Sequence, residues 1–163
     1  MKAPAIVVMA THRVYAAAVP DKEPIGLLIG AARRQIKRVV TERVRAHDLT
    51  AQQFWVLINI EEGKGPSLGE IASRLRMDAP TASRAVGQLL ERALVKAEGD
   101  RGDRRRLRLK LTAAGRARLA PLRELAAELR TAPLLGLSRE EEETLRALLR
   151  KVISNLEAII KAR

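Results

Sequence analysis

Between Arg101 and Arg118 the chain sets Arg101, Arg104, Arg105, Arg106, Arg108, Lys110, Arg116 and Arg118 against a single acid, Asp103. A guanidinium is a planar fork of donors that stays charged, and its natural acceptors are phosphate oxygens and the O6 and N7 edge of guanine. A second polar group lies upstream: Pro80, Thr81, Ser83, Arg84 and Gln88. At helical spacing Arg84 and Gln88 are neighbours on one face. Arginine can bridge guanine O6 and N7, glutamine can bridge adenine N6 and N7, and Thr81 and Ser83 suit phosphate oxygens or base edges. The chemistry implied is recognition of a nucleic acid. Catalytic groupings are missing: the chain has no cysteine, no phosphate-binding loop, and two histidines, His12 and His47, far apart in sequence. Glu140 to Glu143 open a helix, where they complement its dipole. An enzyme, a metal site and a cofactor are therefore not expected.

The balance of the whole chain agrees. Its 163 residues carry a net charge of +12, which calls for a polyanionic partner. The aromatics are Tyr15, Phe54 and Trp55 alone, too few for stacking along a single strand. Duplex DNA is therefore preferred to single-stranded nucleic acid. No apolar run approaches the roughly 18 to 20 residues that span a bilayer, so no membrane role is expected. Residues 1–24 begin with Lys2 and a short apolar stretch that Thr11, His12 and Arg13 interrupt, so they read as a leader or arm rather than a signal peptide. A cytoplasmic location follows.

The elements that must position these groups are legible from periodicity and caps. Ile25, Leu28, Ile29, Ala32, Ile36, Val39 and Val40 recur at helical spacing in a first helix running to about His47. Thr50 caps a second, with Phe54, Val56, Leu57 and Ile60 as its apolar content. Ser67 and Glu70 form a capping box for a short third helix, whose buried stripe reads Leu68, Ile71, Ala72 and Leu75. Asp78 or Ala79 caps the next, with Pro80 tolerated in its first turn and Ala82, Val86, Leu89, Leu90 and Ala93 to one side. Then the period changes to two: Leu107, Leu109 and Leu111 alternate with Arg106, Arg108 and Lys110, a half-buried strand. Lys96 and Ala97 supply its partner across a turn containing Gly99 and Gly102. The leucines should rest on the preceding helices, and the cations should face outward. Thr112 caps a further helix that Pro121 must kink or divide, and Ser138 with Glu141 opens a long last helix.

This order predicts a mostly α fold with a small two- or three-stranded β-wing: a winged helix-turn-helix flanked by long dimerisation helices. Residues 25–48 form one dimerisation helix, 49–111 the DNA-binding domain, and 112–163 the C-terminal dimerisation helices. The long apolar stripe from Leu145 to Ile160 is best buried against a second copy, giving a homodimer.

The stretch "DRGDRRRLRLKLTAAG" resembles the wing of the multiple-antibiotic-resistance regulator (MarR) family. The matching residues are Asp103, Arg104 and Arg105, followed by Leu111, Thr112 and Gly115 of a Leu-Thr-x-x-Gly pattern. "LTAQQFWVLINIEE" and "LGEIASRLRMDAPTASRAVGQLLERALV" are similar to the family's second, third and fourth helices. The resemblance implies a dimeric, ligand-responsive transcriptional regulator, usually a repressor, that binds a pseudo-palindrome. It also implies Arg104 in the minor groove at the wing tip, Asp103 orienting a neighbouring arginine, and Pro80, Thr81 and Arg84 in the major groove. Family ligand sites lie where the dimerising helices meet the winged domain. Arg34, His47, Phe54 and Trp55 are the candidates here for a small aromatic or anionic effector, with Arg116 a further one. Where many members have Lys-Gly-Leu after the reading helix, this chain has Arg92-Ala93-Leu94, so the sequence leaves that helix's end open. The competing expectation is an architectural nucleic-acid-binding protein that uses the same basic ribbon without sequence choice.

Overall fold

The computed structural model of the chain describes residues 23–99 and 107–162. Helix α1 (Ile25–Arg45) opens it. Contacts divide the chain into two units, one ending at Val39 and the other beginning at Val40, so the division falls inside α1. In the first unit Ile25, Leu27, Leu28, Ile29, Ile36 and Val39 are all exposed. In the second, Val40 and Val44 enter the core.

That core is built around α2 (Ala51–Glu62). Phe54, Val56, Leu57, Ile58 and Ile60 are all buried, which leaves the helix with almost no solvent face. Thr50 caps it as expected: its Oγ1 accepts from Gln53 N–H at 3.2 Å, and Gln53 Oε1 accepts from Thr50 N–H at 2.9 Å. Helix α3 (Leu68–Leu75) opens on the Ser67–Glu70 box. Ile71 alone of its expected stripe is fully buried, and Leu68 is exposed.

Helix α4 (Ala79–Glu91) is capped by Asp78, whose Oδ1 accepts from Thr81 N–H at 2.7 Å. It buries Ala82, Ala85, Val86 and Leu89, while Leu90 and Ala93 are exposed. Leu90 lies about 100° around the helix from Leu89, off the i, i+3, i+4, i+7 stripe. The end of α4 is a Schellman turn, with Leu94 N–H donating to Leu89 O (3.0 Å) and Ala93 N–H to Leu90 O (2.9 Å). Ala93 holds the left-handed conformation there, φ 51°, which favours glycine. Ala93→Gly is therefore expected to stabilise the fold by about 1 kcal/mol. A raised urea midpoint with an unchanged slope would show it, and an unchanged midpoint would contradict it.

Strands β1 (Val95–Gly99) and β2 (Leu107–Leu111) pair antiparallel, Val95 opposite Leu111 and Gly99 opposite Leu107. Leu109 and Leu111 rest on the core, and Leu109 N–H donates to Pro66 O at 2.9 Å. Leu107, at the outer end of the ribbon, is 58% exposed, so the leucine face is buried over two of its three residues. Thr112 caps α5 (Ala113–Ala117), and α6 (Leu119–Thr131) follows after a break at Arg118. Pro121 has thus divided the helix. It stands in the first turn of α6, where a missing N–H costs no hydrogen bond. Leu119, Leu122, Leu125, Ala126 and Leu129 bury one side of α6. Arg43 of α1 grips Glu128 through Nη1 and Nη2, while Arg123 and Arg130 pair with Glu61 and Glu62 of α2.

After a short 3-10 turn, α7 (Arg139–Lys161) starts on the Ser138–Glu141 capping box. None of its residues is buried, and Leu145, Leu148, Leu149, Leu156, Ile159 and Ile160 stand in solvent. No described helix is long and apolar enough to cross a membrane.

Candidate nucleic-acid interface

The order α2, α3, α4, β1, β2 is that of a winged helix-turn-helix, and α4 holds the place of the reading helix. Its core-facing side is Ala82, Ala85, Val86 and Leu89, which turns Pro80, Ser83, Arg84 and Gln88 to solvent, with Thr81 half-exposed. The Asp78 cap fixes where the helix begins. Hydrogen bonds from the Thr81 side chain and backbone hold the Asp78 carboxyl below the usual range, with a smaller pull from the nearby Arg84 charge. The Arg84 guanidinium makes no ion pair or hydrogen bond with any described residue. Gln88 is different: its Oε1 accepts from Gln53 Nε2 at 3.0 Å. Gln53 is nearly buried and went unremarked in the sequence because its partner is 35 positions away. The bidentate adenine contact expected of Gln88 uses that same Oε1, one of whose two lone pairs is taken by Gln53.

Two tethers hold α4 in place. Besides the Gln53 bond, Arg92 at its C-terminal end donates to Asp48 O at 2.7 Å and to Asp48 Oδ2 at 2.6 Å. Asp48 has a positive φ, which aims its carbonyl and carboxylate at the same guanidinium.

On the ribbon the outward cations meet acids of their own chain. Arg108 donates to Glu70 Oε2 at 3.0 Å, and Lys110 Nζ donates to Glu98 Oε2 at 2.7 Å, with Lys96 on the other Glu98 oxygen. Hydrogen bonds from Lys110 and then Lys96 pull the Glu98 carboxyl down to about 2. Glu70 is also lowered, first by Ser67 N–H and more weakly by Arg108. Both outward cations of β2 thus have an acid of the same chain beside them. Arg101, Asp103, Arg104, Arg105 and Arg106 lie outside the described residues.

The effector candidates of the second unit, His47, Phe54 and Trp55, do not line one cleft. His47 lines an open cleft of about 390 Å³ with Ala46, Asp48, Leu49, Ala117, Arg118, Pro121 and Leu122. Arg118 reaches the His47 carbonyl at 3.4 Å, and Arg116 is occupied with Leu111 O at 2.8 Å. Phe54 is fully buried and belongs to the core instead. Trp55, half-buried, meets Phe54 edge-on at 4.8 Å and lies beneath the Arg130 guanidinium at 5.6 Å. Arg34 is an exposed residue of the first unit.

Residues 47–106 match the sequence profile of the MarR family. A probable transcriptional regulator from Pseudomonas aeruginosa is 30% identical, over 80% of this chain and 97% of that one, with a TM-score of 0.65. This chain belongs to the MarR family. A mutant of E. coli MarR, complexed with operator DNA, is 28% identical over 79% of this chain and 93% of that one, with a TM-score of 0.68. Bordetella bronchiseptica BpsR, whose DNA binding is regulated by 6-hydroxynicotinic acid, is 27% identical over 80% and 98% of the two chains, with a TM-score of 0.67. As a MarR-family transcriptional regulator the protein binds DNA, and its small antiparallel ribbon beside α4 is the wing.

Proposed function

We propose that this chain is a homodimeric regulator that reads a pseudo-palindromic duplex and acts as a repressor released by a small ligand. The observation that carries the reading is Arg84: an exposed arginine without a partner among the described residues, on the outer face of a capped helix that is tethered at both Gln88 and Arg92. A fixed helix presenting one uncommitted guanidinium suits bidentate contact with guanine in the major groove. Pro80, Thr81 and Ser83 at the helix start would set it against the backbone, and the wing arginines Arg101, Arg104, Arg105 and Arg106, with Asp103 orienting a neighbour, would reach the minor groove.

The dimer is supported by the apolar residues that the chain leaves in water on α1 and α7. Such stripes are well buried against another copy. Two reading heads about one DNA turn apart, roughly 34 Å, then match an inverted repeat. The cleft at His47 is the candidate effector site. Leu49, Ala117, Pro121 and Leu122 line it with Arg118, and the Asp48 carboxylate there is paired with Arg92, which suits a small apolar or aromatic anion. The regulation of BpsR by an aromatic acid supports that class. A ligand acts only through its differential affinity for head spacings that do and do not fit DNA. A duplex DNA partner supports a cytoplasmic location.

Arg84→Ala is expected to cost about 1 to 3 kcal/mol on the specific site and to relax the base preference beneath it, with a much smaller effect on random duplex. Fluorescence anisotropy on both duplexes measures this. Equal losses on both would make Arg84 a phosphate contact and favour an architectural role.

A further inference from the structure

We propose that Gln53, which lies under the reading helix and touches no base, sets which end of the Gln88 carboxamide is offered to DNA. The inference rests on the reading that α4 enters the major groove. An amide side chain can usually be turned either way, because its oxygen and nitrogen are alike in shape. Here a backbone group removes the ambiguity. Thr50 N–H can only donate, so the atom of Gln53 that meets it at 2.9 Å must be the oxygen. The other end of Gln53 is then an NH₂ group, and the atom of Gln88 that meets it at 3.0 Å must be an acceptor, Oε1. Gln88 is exposed, and no described residue accepts from its Nε2. With Oε1 turned to Gln53, the carboxamide leads with its NH₂ donors toward the groove. Its best complement is a base edge of acceptors, guanine O6 and N7 or thymine O4, and it disfavours an edge led by the amino groups of adenine N6 or cytosine N4. Gln53 is a positioning residue for specificity, held by the first turn of α2.

Gln53→Glu reverses the polarity. A carboxylate still accepts from Thr50 N–H, since Thr-x-x-Glu is itself a capping box and a helix N-terminus favours negative charge. Its second oxygen can only accept, so Gln88 must turn Nε2 inward and offer Oε1 to the groove. The experiment selects bound sequences from a random duplex pool with the wild type, Gln53→Glu and Gln88→Ala. At one base pair in each half-site the preference should pass from guanine or thymine to adenine or cytosine in Gln53→Glu, by about 3- to 10-fold in relative affinity. It should flatten in Gln88→Ala. Gln53→Met, which keeps the volume and removes both hydrogen bonds, should flatten it too, and serves if the glutamate variant fails to fold. An unchanged preference in Gln53→Glu and Gln53→Met, or in Gln88→Ala, overturns the assignment while leaving the DNA-reading role intact. No enriched sequence from the wild type overturns both.

Discussion

Leu148→Glu combined with Ile159→Glu is expected to convert the protein to a folded monomer and to weaken binding to a duplex with two half-sites by about 10²- to 10⁴-fold. Both residues are exposed in the single chain, 56% and 60%, and α7 contributes no buried residue. Replacing them therefore removes nothing from the core around α2. In a dimer each would bury an aliphatic side chain, contributing about 1.5 to 3 kcal/mol. A glutamate at each place would instead lose hydration without a partner. The larger effect is on DNA. Two heads on one rigid body bind the second half-site as an intramolecular event, and a monomer loses that advantage altogether. Sedimentation gives the mass and anisotropy gives the affinity. A double variant that stays dimeric, or a monomer that keeps full affinity, contradicts the assignment of α7 to the interface.

Gly115→Ala is expected to destabilise the winged domain by about 3 kcal/mol, at the upper end for overpacking because the obstacle is backbone. A Cβ at Gly115 would overlap the Leu94 carbonyl oxygen and stand 3.1 Å from its carbon. That carbonyl is not free to retreat: it accepts from Thr112 N–H at 3.1 Å, while Thr112 Oγ1 bonds Ala93 O at 2.7 Å. Thr112 also caps α5 by accepting from Gly115 N–H at 3.0 Å. The Leu-Thr-x-x-Gly pattern thus has a physical basis. Leu111 sits in the core, Thr112 joins the end of the ribbon to the end of α4, and Gly115 lets α5 close on Leu94. For a chain of this size the expected loss corresponds to a fall of about 6 to 12 °C in Tm. A melting temperature within about 1 °C of the wild type would show that the contact relaxes at no cost.

What the sequence made legible was local. Capping boxes span four residues, so Ser67–Glu70 and Ser138–Glu141 could be read directly and both form. The two-residue alternation of Leu107 to Leu111 announced β2 for the same reason, and the apolar stripe of α7 was visible as a repeat. Contacts across the fold were not legible. Nothing near Arg108 in the chain points to Glu70, and nothing near Gln88 points to Gln53. Those pairs change the meaning of residues that the sequence shows only as a basic face and a reading face. The family resemblance grouped Phe54 with Trp55 as effector candidates; on α2 Phe54 is fully buried in the core and Trp55 lies under Arg130. Ala93 shows the reverse case: the Schellman turn forms even though the glycine that usually signals it is absent.

The central claim is sequence-specific recognition by a dimer. It is tested most directly by selecting bound sequences from a random duplex pool at about 150 mM salt, where non-specific attraction is suppressed. The account predicts an enriched inverted repeat with half-sites about one helical turn apart, preferred about 10³-fold or more over random duplex. Tight binding with no enriched sequence would contradict it, and would make the positive charge a means of holding DNA without reading it.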